Sequence, residues 1–94
     1  MKTKTTEWDV CNHLKSKAAR EAYLNAAFED GDSALIAAAL GDIARAEGMS
    51  KVAKRSGLGR ESLYKALSPD GNPALGTILK VMRAMDIGLR AACL

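Results

Sequence analysis

The chain has 94 residues, with 14 Lys or Arg and 11 Asp or Glu for a net charge of +3, and it is 48% hydrophobic but only 4% aromatic. That describes one domain with a modest core, and an apolar share carried largely by alanine favours closely approaching helices. Membrane spanning and a disulfide framework are excluded: the longest apolar run, residues 34–40, is far short of the roughly 20 residues that cross a bilayer, and Cys11 and Cys93 sit near opposite ends without C-x-x-C spacing. The start, MKTKTTEW, has no apolar core of the signal-peptide kind. The expectation is a cytoplasmic protein with reduced thiols.

Residues 1–15 read as a flexible N-terminal segment with one loose turn over 9–14. From Ser16, a suitable N-cap, Leu14, Ala18, Ala22 and Ala26, with Tyr23 and Ala27, recur at three- and four-residue spacing up to Gly31 and predict a first helix. Asp32 or Ser33 caps a second, whose stripe is Leu35, Ile36, Ala39, Leu40 and Ile43 and which ends at Gly48. Gly41 weakens its middle by up to about 1 kcal/mol relative to alanine. Ser50 is placed to cap a third helix over 51–56, with Val52 and Ala53 inward, Leu58 anchors a tight turn, and 60–67 makes the fourth. SPDGNP is turn chemistry, with Asn72 and Pro73 marking the next helix start. The fifth helix, ALGTILKVMRAMD, is expected to bury Leu75, Ile78, Leu79, Met82 and Met85. The final GLRAACL alternates as a short C-terminal strand would, with Leu89, Ala91 and Cys93 on one side and Arg90 and Ala92 on the other. The fold class is therefore all-α, one domain over 1–94 with five helices.

Charge is uneven along the chain. Residues 1–44 carry five basic and seven acidic side chains, 45–65 six and two, and 66–94 three and two. Arg45, Lys51, Lys54, Arg55, Arg60 and Lys65 thus form a local patch that suits phosphates, although charge alone reads more plainly as a solvated face. The patch coincides with KVAKRSGLGRESLYKAL, two segments each too short for a stable helix alone, broken at Gly57-Leu58-Gly59. On a wheel at about 100° per residue, Leu63, Ala66 and Leu67 share one side, while Glu61, Ser62, Tyr64 and Lys65 share the other with Arg60 at the edge. Ala53, Gly57 and Leu63 fall at the fifth, ninth and fifteenth positions from Met49. A small residue at Ala53 lets the helices cross closely, and Gly57 takes a positive φ without penalty. The pattern predicts a helix-turn-helix over 50–67 whose second helix enters a DNA major groove. Arg60 suits guanine and Glu61 cytosine; Ser62, Tyr64 and Lys65 suit bases or phosphates; Lys51, Lys54 and Arg55 suit the DNA backbone, with Ser50 and Gly59 at the two helix starts.

The run from Gly41 to Ala91, and above all LYKALSPDGNP within it, closely resembles the addiction-module antidote family, HigA-like antitoxins with a lambda-repressor-like (Xre/Cro-type) helix-turn-helix. Upstream, AYLNAAFEDGDSALIAAALGDIARA resembles the same family, so the likeness covers about residues 20–92. The resemblance implies a lambda-repressor-like fold and a type II toxin–antitoxin role. It implies three partners: double-stranded DNA at the protein's own operator, a cognate RelE/ParE-like toxin of the HigB kind, and a second copy of the chain. The chain departs from the family at Gly59, where serine usually caps the recognition helix, a difference of a few tenths of a kcal/mol, and at Ser33, where proline is frequent.

The family motif marks no toxin contact. Physical candidates are Tyr23, Phe28 and the acidic Glu29, Asp30 and Asp32, which would suit a basic toxin; core packing and a helix end with its N-cap are the plainer readings. Dimerisation is expected because half-sites are read by two-fold symmetric dimers. Residues 88–94 are the candidate tail, pairing as a strand, packing as apolar surface, or closing the monomer's own core. Enzymatic chemistry is not indicated: there is one histidine, His13, with no Ser/His/Asp set, HExxH, phosphate loop, metal cluster or cofactor motif. The rival function is a stand-alone phage-type repressor without a toxin, distinguished by whether a toxin-sized reading frame adjoins the gene. A protein-interaction module that has lost DNA binding is a third reading.

Overall fold

Alanine-rich segments punctuated by capping residues divide the chain into helices. In the computed structural model, which describes residues 14–94, these are α1 (Lys17–Asp30), α2 (Ser33–Glu47), α3 (Met49–Ser56), α4 (Arg60–Ala66) and α5 (Leu75–Ala84). The described residues are all-α, as expected, and contain no strand. The C-terminal strand is therefore a wrong expectation: a strand needs a ladder partner, and residues 88–94 run exposed without one. None of the helices among the described residues is long and apolar enough to cross a membrane.

Caps set the helix ends. Ser16 Oγ accepts from the Ala19 amide at 3.1 Å, and the Asp32 carboxylate accepts from the Ala34 amide at 3.0 Å. Gly31 closes α1 in the left-handed region. Two starts differ from expectation. α3 begins at Met49 after Gly48, so Ser50 lies inside the first turn and is not the cap; burial of Met49 draws the helix start forward. α5 begins at Leu75 after Ala74, not at Asn72 and Pro73. Before it the chain doubles back tightly on the end of α4: the Gly71 amide donates to Ser68 O at 2.9 Å, and a Cβ on Gly71 would lie 2.5 Å from Lys65 O.

One core joins all five helices, built from Leu24 and Ala27 of α1, Leu40 and Ile43 of α2, Val52 and Ala53 of α3, Leu63 of α4, and Val81 and Met82 of α5. α1 packs on α2, α2 on α3, and α3 on both α4 and α5. The eight-residue α3 thus persists despite its length because three neighbours hold it. Each large side chain buried there contributes on the order of 1.5–3 kcal/mol.

The apolar stripes are only partly as read. Ala18, Ala22 and Ala26 are exposed, and α1 turns Leu24 and Ala27 inward, with Tyr23 and Phe28 half-buried. Bulkier side chains gain more from burial than a row of methyl groups. Leu35, Leu75 and Leu79 are 43%, 66% and 41% exposed, while Val81 and Ala84 are buried instead. α5 covers the core with its C-terminal half and leaves its first turns outside. Gly41 has a packing reason, since a Cβ there would meet Leu67 O at 3.0 Å. At the N-terminal edge Leu14 is fully buried and its carbonyl accepts from Arg20 Nε at 2.6 Å. Residues 1–13, with Cys11 and His13, lie outside the described residues.

Candidate nucleic-acid interface

The α3–turn–α4 unit is anchored from below by apolar side chains. Val52 and Leu63 are fully buried, and Ala53 and Leu67 nearly so. Gly57 sits at φ 78°, where an L side chain is strained, and its amide donates to Ala53 O at 3.0 Å. Ser56 reinforces the turn: its hydroxyl donates to Ala53 O at 3.2 Å and accepts from the Leu58 amide at 3.3 Å. These bonds hold the chain at the break, and half-buried Leu58 packs against the core beneath it.

On this base α4 displays Arg60, Glu61, Ser62, Tyr64 and Lys65, all exposed. Glu61 in the first turn and Lys65 in the last match the helix dipole. Gly59 occupies the N-cap without a side-chain bond. Arg60 folds along the helix onto Tyr64, donating to the phenol oxygen at 3.3 Å with its guanidinium 5.6 Å from the ring centroid. That contact leaves the Arg60 charge without a counter-charge among the described residues.

The basic residues of α3 divide between two flanks. Ser50 and Lys54 share one, by helical geometry, and Lys54 has no ion-pair partner among the described residues. Lys51 and Arg55 turn the other way, to Glu47 at 3.4 and 3.5 Å, and Arg55 also donates to Ala84 O at 3.4 Å. Arg45 pairs with Asp42 at 2.9 Å. Among the described residues, therefore, Lys54, Arg60 and Lys65 of the unit have no ion-pair partner, while Lys51 and Arg55 are partly neutralised. Sequence reasoning missed Glu47, although the Glu47–Lys51 spacing of four was a signal for it. Arg20, far away in sequence, offered no such signal. The Arg20 guanidinium beside Glu47, with help from Lys51, holds that carboxyl below its ordinary value of 4.5 against the opposing effect of burial.

Of the candidates for protein contact, Tyr23 donates its hydroxyl to Asp42 at 2.6 Å, Phe28 lines a cleft, and Glu29 and Asp30 are exposed with Asp32 capping α2. Cys93 is a free exposed thiol. Among the described residues no group of three or more His, Cys, Asp or Glu is placed to hold a metal.

The site and fold define a small all-α domain that displays a polar helix on an apolar base. The chain belongs to the addiction module antidote family: residues 4–93 match the family described as "probable addiction module antidote protein". It is also similar to an uncharacterized protein of Haemophilus influenzae (strain KW20 / Rd), with 47% identity over 81 residues, which is 86% of this chain and 84% of that one. No solved structure matches the chain.

Proposed function

We propose that the protein is the antitoxin of a type II toxin–antitoxin module, which neutralises a RelE/ParE/HigB-like toxin and represses its own operon by sequence-specific DNA binding as a cytoplasmic homodimer. Membership of the antidote family supports the toxin partner. The observation that carries DNA binding is the exposed face of α4, where Arg60, Glu61, Ser62, Tyr64 and Lys65 stand together over buried Leu63. At about 1.5 Å rise per residue a seven-residue helix spans roughly 10 Å, enough to address about three successive base pairs. In this reading residues 50–67 form a lambda-repressor-like helix-turn-helix, α4 reads bases, and Lys54 with Ser50 contacts phosphates. Lys51 and Arg55 reach the DNA backbone only after loosening from Glu47.

The test is fluorescence anisotropy with a duplex from the gene's own upstream region and a scrambled duplex of equal length, each at low and physiological salt. The proposal expects at least about a thousandfold preference for the native duplex that survives at higher salt. Equal, salt-labile binding to both would reduce the basic surface to a generic phosphate contact.

A further inference from the structure

Beside the N-terminal half of α2 lies an apolar cleft of about 270 Å³, lined among others by Phe28, Ile36, Pro73, Leu75, Ile78 and Leu89. Leu75 at 66% and Leu89 at 49% are widely exposed in its wall. The last turn of α1, which carries the cleft residue Phe28, ends in Glu29 and Asp30, both exposed and without an ion pair among the described residues. The C-terminal segment leaves from the same place: Leu89 lines the cleft, and Arg90, Ala91, Ala92, Cys93 and Leu94 then run on exposed. That segment combines apolar side chains with one cation, Arg90, which has no ion-pair partner among the described residues, and this suits an apolar cleft whose Phe28 is followed directly by two carboxylates.

We propose that the tail of one copy, residues 90–94, occupies this cleft on a second copy, and that the exchange is reciprocal about a two-fold axis. Five extended residues reach roughly 17 Å, enough to cross to a neighbour. Leu94 and Ala91 enter the apolar wall at Leu75 and Ile78, and Arg90 lies against Glu29 and Asp30. Because such an interface is isologous, each contact occurs twice, and every substitution in it counts twice. The inference rests on the dimeric part of the function proposed above and deepens it by naming the interface.

Complementation between two variants tests it by sedimentation equilibrium. Leu75→Glu spoils the cleft at a residue already mostly exposed, and deletion of 90–94 removes the tail. The wild type is expected to dimerise, and each variant alone to raise the dimer dissociation constant at least tenfold while keeping its helical circular dichroism. Mixed together, the two should associate more tightly than either alone, because the intact tail of one meets the intact cleft of the other. Arg90→Glu should weaken the dimer, and Glu29→Lys with Asp30→Lys should restore it. A mixture that gains nothing, or a wild-type dimer indifferent to both variants, overturns the tail exchange while leaving a dimeric repressor intact. A wild type that stays monomeric overturns both.

Discussion

The Arg20 guanidinium and the Glu47 carboxylate meet at 2.6 Å across α1 and α2, with only 13% and 15% of their side chains exposed. From this pair the contacts spread outward. Arg20 also donates to Leu14 O, Glu47 also accepts from Lys51 and Arg55, and Arg55 reaches Ala84 O. One carboxylate therefore ties together α1, α2, α3 and, through Arg55, the end of α5.

Replacing Glu47 with Gln should destabilise the fold by about 1–3 kcal/mol, because it leaves a nearly buried guanidinium without its counter-charge. Since Glu47 titrates below its ordinary 4.5 in the folded state, its contribution is present above that value and is lost as the pH falls through the lowered one. Urea unfolding of the wild type should weaken over that acid range, and the Gln variant should show a shallower loss. Parallel curves for the two proteins would refute this role.

Two glycines should respond oppositely to alanine. At Gly71 the new Cβ would lie 2.5 Å from Lys65 O and 2.7 Å from Ala66 O, both backbone atoms, so Gly71→Ala should destabilise by about 1–3 kcal/mol. Gly76 lies within α5 and a Cβ there meets nothing within 4 Å, so Gly76→Ala should stabilise by roughly 0.5–1 kcal/mol. Thermal melts of the two variants check both signs.

Truncation of Leu63 to Ala removes a fully buried side chain beneath the exposed face of α4 and should destabilise by about 2–5 kcal/mol. Chemical denaturation at neutral pH reads this directly. Ser62→Ala, on the outer side of the same helix, should stay within about 0.5 kcal/mol of the wild type.

If α4 reads bases and Lys54 contacts phosphate, Arg60→Ala and Lys54→Ala should fail in different ways. Loss of Arg60 should cost about 1–3 kcal/mol on the native duplex and little on a scrambled one. Loss of Lys54 should weaken both duplexes alike and reduce the salt slope by about one. Anisotropy titrations showing equal effects of the two substitutions would dissolve the division.

Helix existence was legible in the chain because its punctuation is local: Ser16, Gly31, Asp32, Gly48 and Gly57 each act within a few residues. The α3–turn–α4 unit was legible for the same reason, since the inward Ala53 and Leu63 and the left-handed Gly57 are properties of short spacing. What escaped depends on distant partners. Leu75 and Leu79 fit a helical stripe, yet their exposure is decided by where α5 lies, and the Arg20–Glu47 pair joins residues on different helices. The start of α3 was misjudged because Ser50 suits a cap in isolation while the burial of Met49 is a tertiary fact.

α5 joins the cleft to the core. Its first turns, with Leu75 and Ile78, form a wall of the apolar cleft, while Val81 and Met82 sit in the core beneath α3. A rigid rod so placed is a lever. An occupant of the cleft that tilted α5 would act on the footing of α3, against which α5 packs. Thermodynamic linkage would make such traffic symmetrical: an occupant of the cleft that altered the affinity of the α4 face for a ligand would have its own affinity altered by that ligand to the same degree.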